Sequence, residues 1–392
     1  MIYLDNAATT PIDSEVREAM LPFLEKEFGN PSSKYYSLAI NAKEAVEESR
    51  KKVASLINAD PREIIFTSCA SESNNMIIKG VADYKKYIEI SGNHLITSEV
   101  EHKSVLNTCR FLAGYESNTL NVEKNRLRPG KRSVRIIDRG YHVSFLPVNE
   151  FGQVEPDVLR AAITKQTVLV SLIWGNNETG TLNDIEALGE ICRERGVLFH
   201  SDATQVLGKI PINVKRLPVD FLSFSAHKIY GPKGVGACFM RCNEIGLRPS
   251  ITAFIHGGSQ EDGYRAGTYC VHNIVGFGKA AEIAKRDMTT YIPYILDLEH
   301  RFKSLIIDKC PNATFNGHQE MKIPGLISIN IPGINNELFV KKLAESGIAA
   351  STGSACSVED HNSMNSNYAV RFNLSKYSSY TNCIEVMRKI PV

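Results

Sequence analysis

The stretch FLSFSAHKIYGPKG, residues 221–234, carries the reading of the fold. Its first half is apolar at nearly every position, the pattern of a strand covered on both faces rather than one with a wet side. Its second half is a turn of small residues and glycines that leaves Lys228 just past the strand end. Working outward, short apolar runs of the same kind recur at IIFTS (64–68), HLITS (94–98), HVSFLPV (142–148), TVLVSLIW (167–174), VLFHSDA (197–203) and GACFM (236–240). Helical patterns lie between them. Ala42, Ala45, Val46, Val53, Leu56 and Ile57 form one stripe of segment 38–58, and DIEALGEICRERG (184–196) is amphipathic and ends at a glycine. Strands alternating with helices predict an α/β fold with a mostly parallel seven-stranded sheet.

The pattern changes after the glycine-rich IHGGSQEDGYRAGT (255–268). A long helix is expected over 271–308, then a strand at GLISINI (325–331), a helix at NELFVKKLAESG (336–347), a Ser/Gly-rich loop at STGSACS (351–357) and a last helix at TNCIEVMRK. These predict a large domain of residues 13–264 and a smaller α+β domain of residues 265–392 joined by residues 1–12. The 392 residues are 43% hydrophobic and 22% charged, which excludes a disordered or fibrous chain. With 45 basic and 43 acidic residues the net charge of +2 argues against bulk electrostatic binding to nucleic acid. No window approaches the roughly 18 consecutive apolar residues of a membrane span, and MIYLDNAATTP lacks the basic start of a secretory leader. Nine cysteines, odd in number and without framework spacing, predict free thiols in a reducing, cytoplasmic setting.

Three features bear on chemistry. A lysine at the carboxyl edge of a buried sheet, such as Lys228, is partly desolvated and can act as a Schiff-base nucleophile, although most lysines after strands simply face solvent. Asp202 ends the strand in HSDATQ and could pair with a pyridinium nitrogen; the plainer reading is a helix cap. IIFTS runs into CASESNN, so small and polar residues open a helix whose free amides can hold a phosphate. No Gly-x-Gly-x-x-Gly or Walker pattern is present, which argues against a dinucleotide or nucleoside triphosphate. Phosphate anchor, strand-end aspartate and strand-end lysine together point to pyridoxal 5'-phosphate.

At these residues the chain resembles the class V pyridoxal-phosphate enzymes, fold-type I transferases, and within them the group I cysteine desulfurases. The resemblance runs through YLDNAATTP, FGNPSS (28–33), IIFTSCASESNN (64–75), SEVEHKSV (98–105), WGNNETG (174–180), HSDATQ (200–205), SFSAHKIYGPKG (223–234), HGG…RAGT (256–268) and STGSACS. It implies that Lys228 carries the cofactor and moves the substrate Cα proton, that Asp202 keeps the pyridine nitrogen protonated, and that Gln205 meets the ring hydroxyl. It implies that His102 stacks on the ring and assists proton transfers, that Ala70, Ser71, Ser225 and His227 bind the phosphate, and that Thr268 reaches the partner's phosphate in a homodimer. Asn176 and Arg371 would hold the α-carboxylate of L-cysteine, for which a bidentate arginine is suited. Cys356 would accept the sulfur, giving alanine and a persulfide for acceptor proteins of iron–sulfur assembly, tRNA thiolation or DNA phosphorothioation. Its Ser/Gly setting predicts a loop with the reach to deliver it.

Three departures from the family pattern stand out. Cys356 and Arg371 are only fifteen positions apart, with AVRFNLSK where an Arg-Phe-Ser-Leu-Gly-Arg-like run is usual, and a C-terminal extension is expected to be reduced. Segment 115–141 is long for a connection, and from Glu123 to Arg139 it holds seven basic residues against two acids. A solvated insertion is the plain reading; a docking patch for an acidic partner or nucleic acid is the sharper one. Trp174, the single tryptophan, could line the pocket or fill the core. The competing functions are a selenocysteine lyase or other β-eliminating class V enzyme, and a non-catalytic, partner-regulated sulfur carrier.

Overall fold

The computed structural model describes residues 1–115, 137–353 and 369–390. The first elements in chain order are strand β1 (Ile2–Tyr3), helix α1 (Ser14–Glu25), helix α2 (Ser37–Leu56), strand β2 (Ile64–Thr67), helix α3 (Ala70–Asp83), strand β3 (His94–Ser98), helix α4 (Lys103–Leu112) and strand β4 (His142–Leu146). Helix α5 (Pro156–Ala162), strand β5 (Thr167–Ile173), helix α6 (Ile185–Glu194), strand β6 (Leu198–Asp202), strand β7 (Phe221–Ser225) and strand β8 (Gly236–Met240) follow. All seven predicted runs are strands of one sheet, in the order β2-β8-β7-β6-β5-β3-β4. Only β8 runs against the others.

The continuous apolar runs have a direct physical cause. Ile64 and Phe66 of β2, Leu222 and Phe224 of β7, and Ala237 and Phe239 of β8 enter one core with α1, α2, α6 and the residues Ile274, Phe277 and Ala281. The alternate residues Ile65, Phe221, Cys238 and Met240 enter a second core with α3 and α4 on the opposite face. Side chains alternate across a strand, so a sheet with helices on both faces must be apolar at every position. Trp174 is 7% exposed and belongs to the first of these cores, which decides between its two readings.

A 39-residue helix α7 (Val271–Lys309) runs out of that first core and supplies Ile295, Leu298, Phe302 and Ile306 to a third. The third core is closed by strands β9 (Thr314–Phe315) and β10 (Leu326–Asn330), helix α8 (Asn336–Glu345), strands β11 (Ile348–Ala349), β12 (Ser351–Thr352) and β13 (Ala369–Asn373), and helix α9 (Tyr380–Lys389). Strands β12-β13-β10-β9 form an antiparallel sheet, and β1 pairs in parallel with β11. The N-terminal segment is therefore threaded from this third core back to the edge of the large sheet. The chain before the basic insertion ends beside its return, with the Ile137 amide donating to Gly114 O at 2.8 Å. Among the described residues no helix is long and apolar enough to cross a membrane.

Candidate active site

The parallel strands end along one edge, the place where open α/β sheets present ligand-binding groups. Asp202 is the last residue of β6, Ser225 the last of β7, and Lys228 closes the short 3-10 turn that follows it. His102 follows β3 as the N-cap of α4, Asn176 follows β5, and α3 opens at Ala70 just after β2. Close approach makes this edge possible: a Cβ on Gly236 would sit 2.7 Å from the carbonyl carbon of Cys69, so only glycine lets the β2–α3 turn lie on β8.

Lys228 is held by backbone carbonyls rather than by a carboxylate. Its Nζ donates to Ala7 O at 2.5 Å and to Ala8 O at 2.7 Å, from the N-terminal segment that crosses the sheet edge. That segment is clamped to the lysine turn, since the Thr10 amide and hydroxyl both donate to His227 O and the Tyr230 amide donates to Thr10 Oγ1. Burial, reinforced by Arg371, lowers Lys228 from the usual lysine range to about 8. Tyr230, two residues on, is held at φ 65°, a conformation that costs a tyrosine energy and marks a turn set by its surroundings.

Asp202 is 4% exposed, and its carboxylate receives Asn74 Nδ2 at 2.8 Å and the Thr204 amide at 3.0 Å. Asn74 Nδ2 also donates to Ser104 Oγ at 2.8 Å, and Ser104 Oγ lies 2.7 Å from Nδ1 of the exposed His102. One hydrogen-bonded line thus joins His102 to Asp202. Beside it the buried Glu101 carboxyl is pushed up to about 8, chiefly by desolvation. Ala70 N donates to Ser225 Oγ at 2.8 Å, tying the opening of α3 to the end of β7, with Ser71 exposed on the first turn. His227 lies 3.1 Å from Thr9 Oγ1; burial and then Lys228 push it down to about 4, so its ring is neutral.

The remaining residues are placed as follows. Gln205 is buried, with Nε2 on Ala7 O at 2.9 Å. Asn176 is buried and commits its Oδ1 to the Glu178 and Thr179 amides at 2.8 and 3.0 Å. Arg371 on β13 is 7% exposed and donates to Asn177 O at 2.7 Å and to Asp5 Oδ1 at 3.0 Å, with Glu178 Oε2 at 3.3 Å. Its guanidinium is close enough to lower both Lys228 and Lys209. Thr268 is exposed, in a segment pinned to α3 by the Arg265–Glu72 ion pair rather than joined to the Lys228 cluster. Cys356 lies outside the described residues. Of the described cysteines, Cys109, Cys192 and Cys383 are buried and pushed up to about 12 by desolvation, which keeps them as thiols.

The donor set fits pyridoxal phosphate. A buried carboxylate whose described partners are neutral groups favours a cation beside it, which a protonated pyridine nitrogen supplies. A lysine on neutral carbonyls with a lowered pKa can give up its proton and bond to an aldehyde. The α3 N-terminus suits a phosphate.

Known proteins carry the same arrangement of sequence. The profile of the aminotransferase class-V family matches residues 2–130 and 134–383. The chain belongs to the aminotransferase class-V family. Class V relatives of this kind are pyridoxal-phosphate-dependent enzymes. Cysteine desulfurase IscS of Neisseria meningitidis serogroup C is 41% identical over 91% of this chain and 80% of its own length. That of Rickettsia typhi is 42% identical over 91% and 79%. Among solved structures, a NifS-like protein superposes with a TM-score of 0.85 at 33% identity, covering 99% of this chain and 98% of its own. DndA from Streptomyces lividans gives 0.77 at 31%, over 95% and 99%.

Sequence reasoning missed several residues that touch the candidate site residues: Asn74, Ser104, Asp5, Lys209 and the carbonyls of Ala7 and Ala8. All but Lys209 stood inside quoted motifs, and that was their only signal.

Proposed function

We propose that this chain is a pyridoxal-phosphate-dependent cysteine desulfurase that takes sulfur from L-cysteine, releases alanine and holds the sulfur as a persulfide on Cys356. The observation that carries this reading is a desolvated lysine and a buried aspartate on one sheet edge, in a chain 41% identical to named cysteine desulfurases. When bound, pyridoxal phosphate supplies the electron sink that stabilises the charge left as the substrate Cα proton departs.

The protein's own groups do the rest. Lys228, which burial in the cofactor-free chain lowers to about 8, would hold the cofactor and, as a free amine, take the substrate Cα proton. Asp202, oriented by Asn74 and Thr204, keeps the ring nitrogen protonated. Gln205 would meet the ring hydroxyl, and His102 would face the ring and assist proton transfers. Ala70, Ser71, Ser225 and His227 would hold the phosphate. Arg371 takes the substrate carboxylate beside Asn176, exchanging part of its contact with Asp5. The Cys356 thiolate forms the S–S bond as the substrate's Cβ–S bond breaks; that electron pair stays on the substrate carbon, which is protonated to give alanine.

Thr268, exposed on one copy, would complete the phosphate site of the second in a cytoplasmic homodimer. The basic run 123–139 suits an acidic sulfur-acceptor protein. The test is direct: purified protein supplied with the cofactor, L-cysteine and a thiol reductant releases alanine and sulfide in equal amounts. No alanine from a protein that has taken up cofactor would overturn the reading.

A further inference from the structure

The arrangement above leaves Lys209 without a task. It follows Gly208, whose φ of 65° favours glycine, where a Cβ would sit 3.0 Å from Ile229 Cγ2, and whose carbonyl is held by the Tyr291 hydroxyl of α7. From this turn Lys209 reaches back along the chain, and its Nζ donates to Gln205 Oε1 at 3.1 Å. An ammonium is a donor only, so an amide facing it must present its oxygen. The Gln205 NH2 is thereby turned to the opposite side, where it donates to Ala7 O, the carbonyl that also receives Lys228. Lys209 and Lys228 line one cavity of about 20 Å³ together with Asn6, Asn373 and Tyr230. Among the described residues Asn6 Oδ1 and both amide atoms of Asn373 are buried with no partner, so this pocket holds several polar groups able to respond to a nearby charge.

We propose that Lys209 is a positioning residue that locks the Gln205 amide with its NH2 directed at the ring hydroxyl of the bound cofactor. This rests on the cysteine desulfurase reading and on Gln205 as the partner of that hydroxyl. Without the lock, only Ala7 O, which it shares with Lys228, still favours that orientation, and the amide turns over more readily to offer its oxygen to the ring, replacing an attraction with a repulsion.

The lock is also pH-sensitive. Desolvation first, then Lys228 from the turn after β7 and Arg371 from β13, push Lys209 down to about 7. Lys228 in turn faces Arg371, Asp202, Asp5 and Glu178. Once neutral, the Lys209 amine can accept as well as donate, and either face of the amide then suits it.

The test is a pH titration of the bound cofactor's visible absorption band in wild type, Lys209→Met, Lys209→Arg, Gln205→Ala and the Lys209→Met/Gln205→Ala double variant. A donor on the ring oxygen favours its anionic form, so losing the donor raises the titration midpoint. Lys209→Met should raise it by about one unit, a tenfold change in proton affinity, while Lys209→Arg stays with wild type. In the Gln205→Ala background Lys209→Met should add nothing, because the two act as one unit. An equal shift in that background would mean that Lys209 acts by its charge alone, and the positioning role would be overturned. An unchanged midpoint in Lys209→Met would overturn it too. Lys209→Gln, whose amide can offer either edge to Gln205, should give the same rise and serves if the apolar variant does not fold. A wild-type protein that gains no visible band refutes the cofactor reading instead, so the two failures are distinguishable.

Discussion

Truncating Asn74 tests the polar line that joins Asp202 to His102. Asn74 is fully buried on α3, and its Nδ2 donates at 2.8 Å both to Asp202 and to Ser104, which in turn contacts His102. Asn74→Ala removes a hydrogen bond to a charged acceptor, worth about 1.5–3 kcal/mol. It leaves the Thr204 amide as the described hydrogen-bond donor to that carboxylate and lets it turn away from the ring nitrogen. If the loss falls on the transition state, the rate drops by roughly tenfold to 150-fold. The assay is steady-state alanine formation from L-cysteine, with cofactor affinity followed by absorbance during reconstitution of the cofactor-free protein. The expected pattern is a large fall in kcat and weaker cofactor binding with a nearly unchanged KM for cysteine, because Asn74 touches none of the carboxylate-binding groups. A folded Asn74→Ala protein with kcat and cofactor affinity like wild type would refute the argument that Asn74 sets Asp202.

Two further outcomes follow from single groups. Asp5 competes with the substrate carboxylate for Arg371, so Asp5→Asn should lower the KM for cysteine by roughly fivefold, the worth of about 1 kcal/mol; an unchanged or higher KM counts against Arg371 as the carboxylate site. Glu101 is raised from 4.5 to about 8, chiefly by desolvation, so the folded state binds a proton there that the unfolded state has lost. Its contribution is therefore fully present below pH 4.5 and is lost as pH rises toward 8. Glu101→Gln should remove that slope, and the gap in denaturation midpoint between variant and wild type should widen in the variant's favour from acid to neutral pH; a constant gap contradicts it.

The large sheet was legible because each of its strands is buried on both faces, which writes an unbroken apolar run into the sequence. Lys228 and Asp202 were legible because strand ends mark where a sheet presents chemistry. What stayed hidden depends on contacts between distant positions or on the backbone. Asn74 and Asp202 are 128 positions apart, and nothing local in CASESNN says that its first asparagine will meet a strand end. Ala7 and Ala8 hold Lys228 by their carbonyls, which any residue possesses. Nothing in the sequence sets Lys209 apart, because the proximity of Lys228 and Arg371 is created only by the packing of the lysine turn and β13 against it. The direction of β8 was hidden for a similar reason: GACFM reads the same whichever way it runs.

The destination of the sulfur matters most. A single turnover with L-cysteine, followed by peptide mass spectrometry without reductant, reads it directly. One added sulfur atom is expected on the peptide holding Cys356, with one alanine per site, and neither persulfide nor sustained turnover in Cys356→Ala. Added sulfur on another cysteine, or a Cys356→Ala protein that forms alanine and sulfide as fast as wild type, would contradict it.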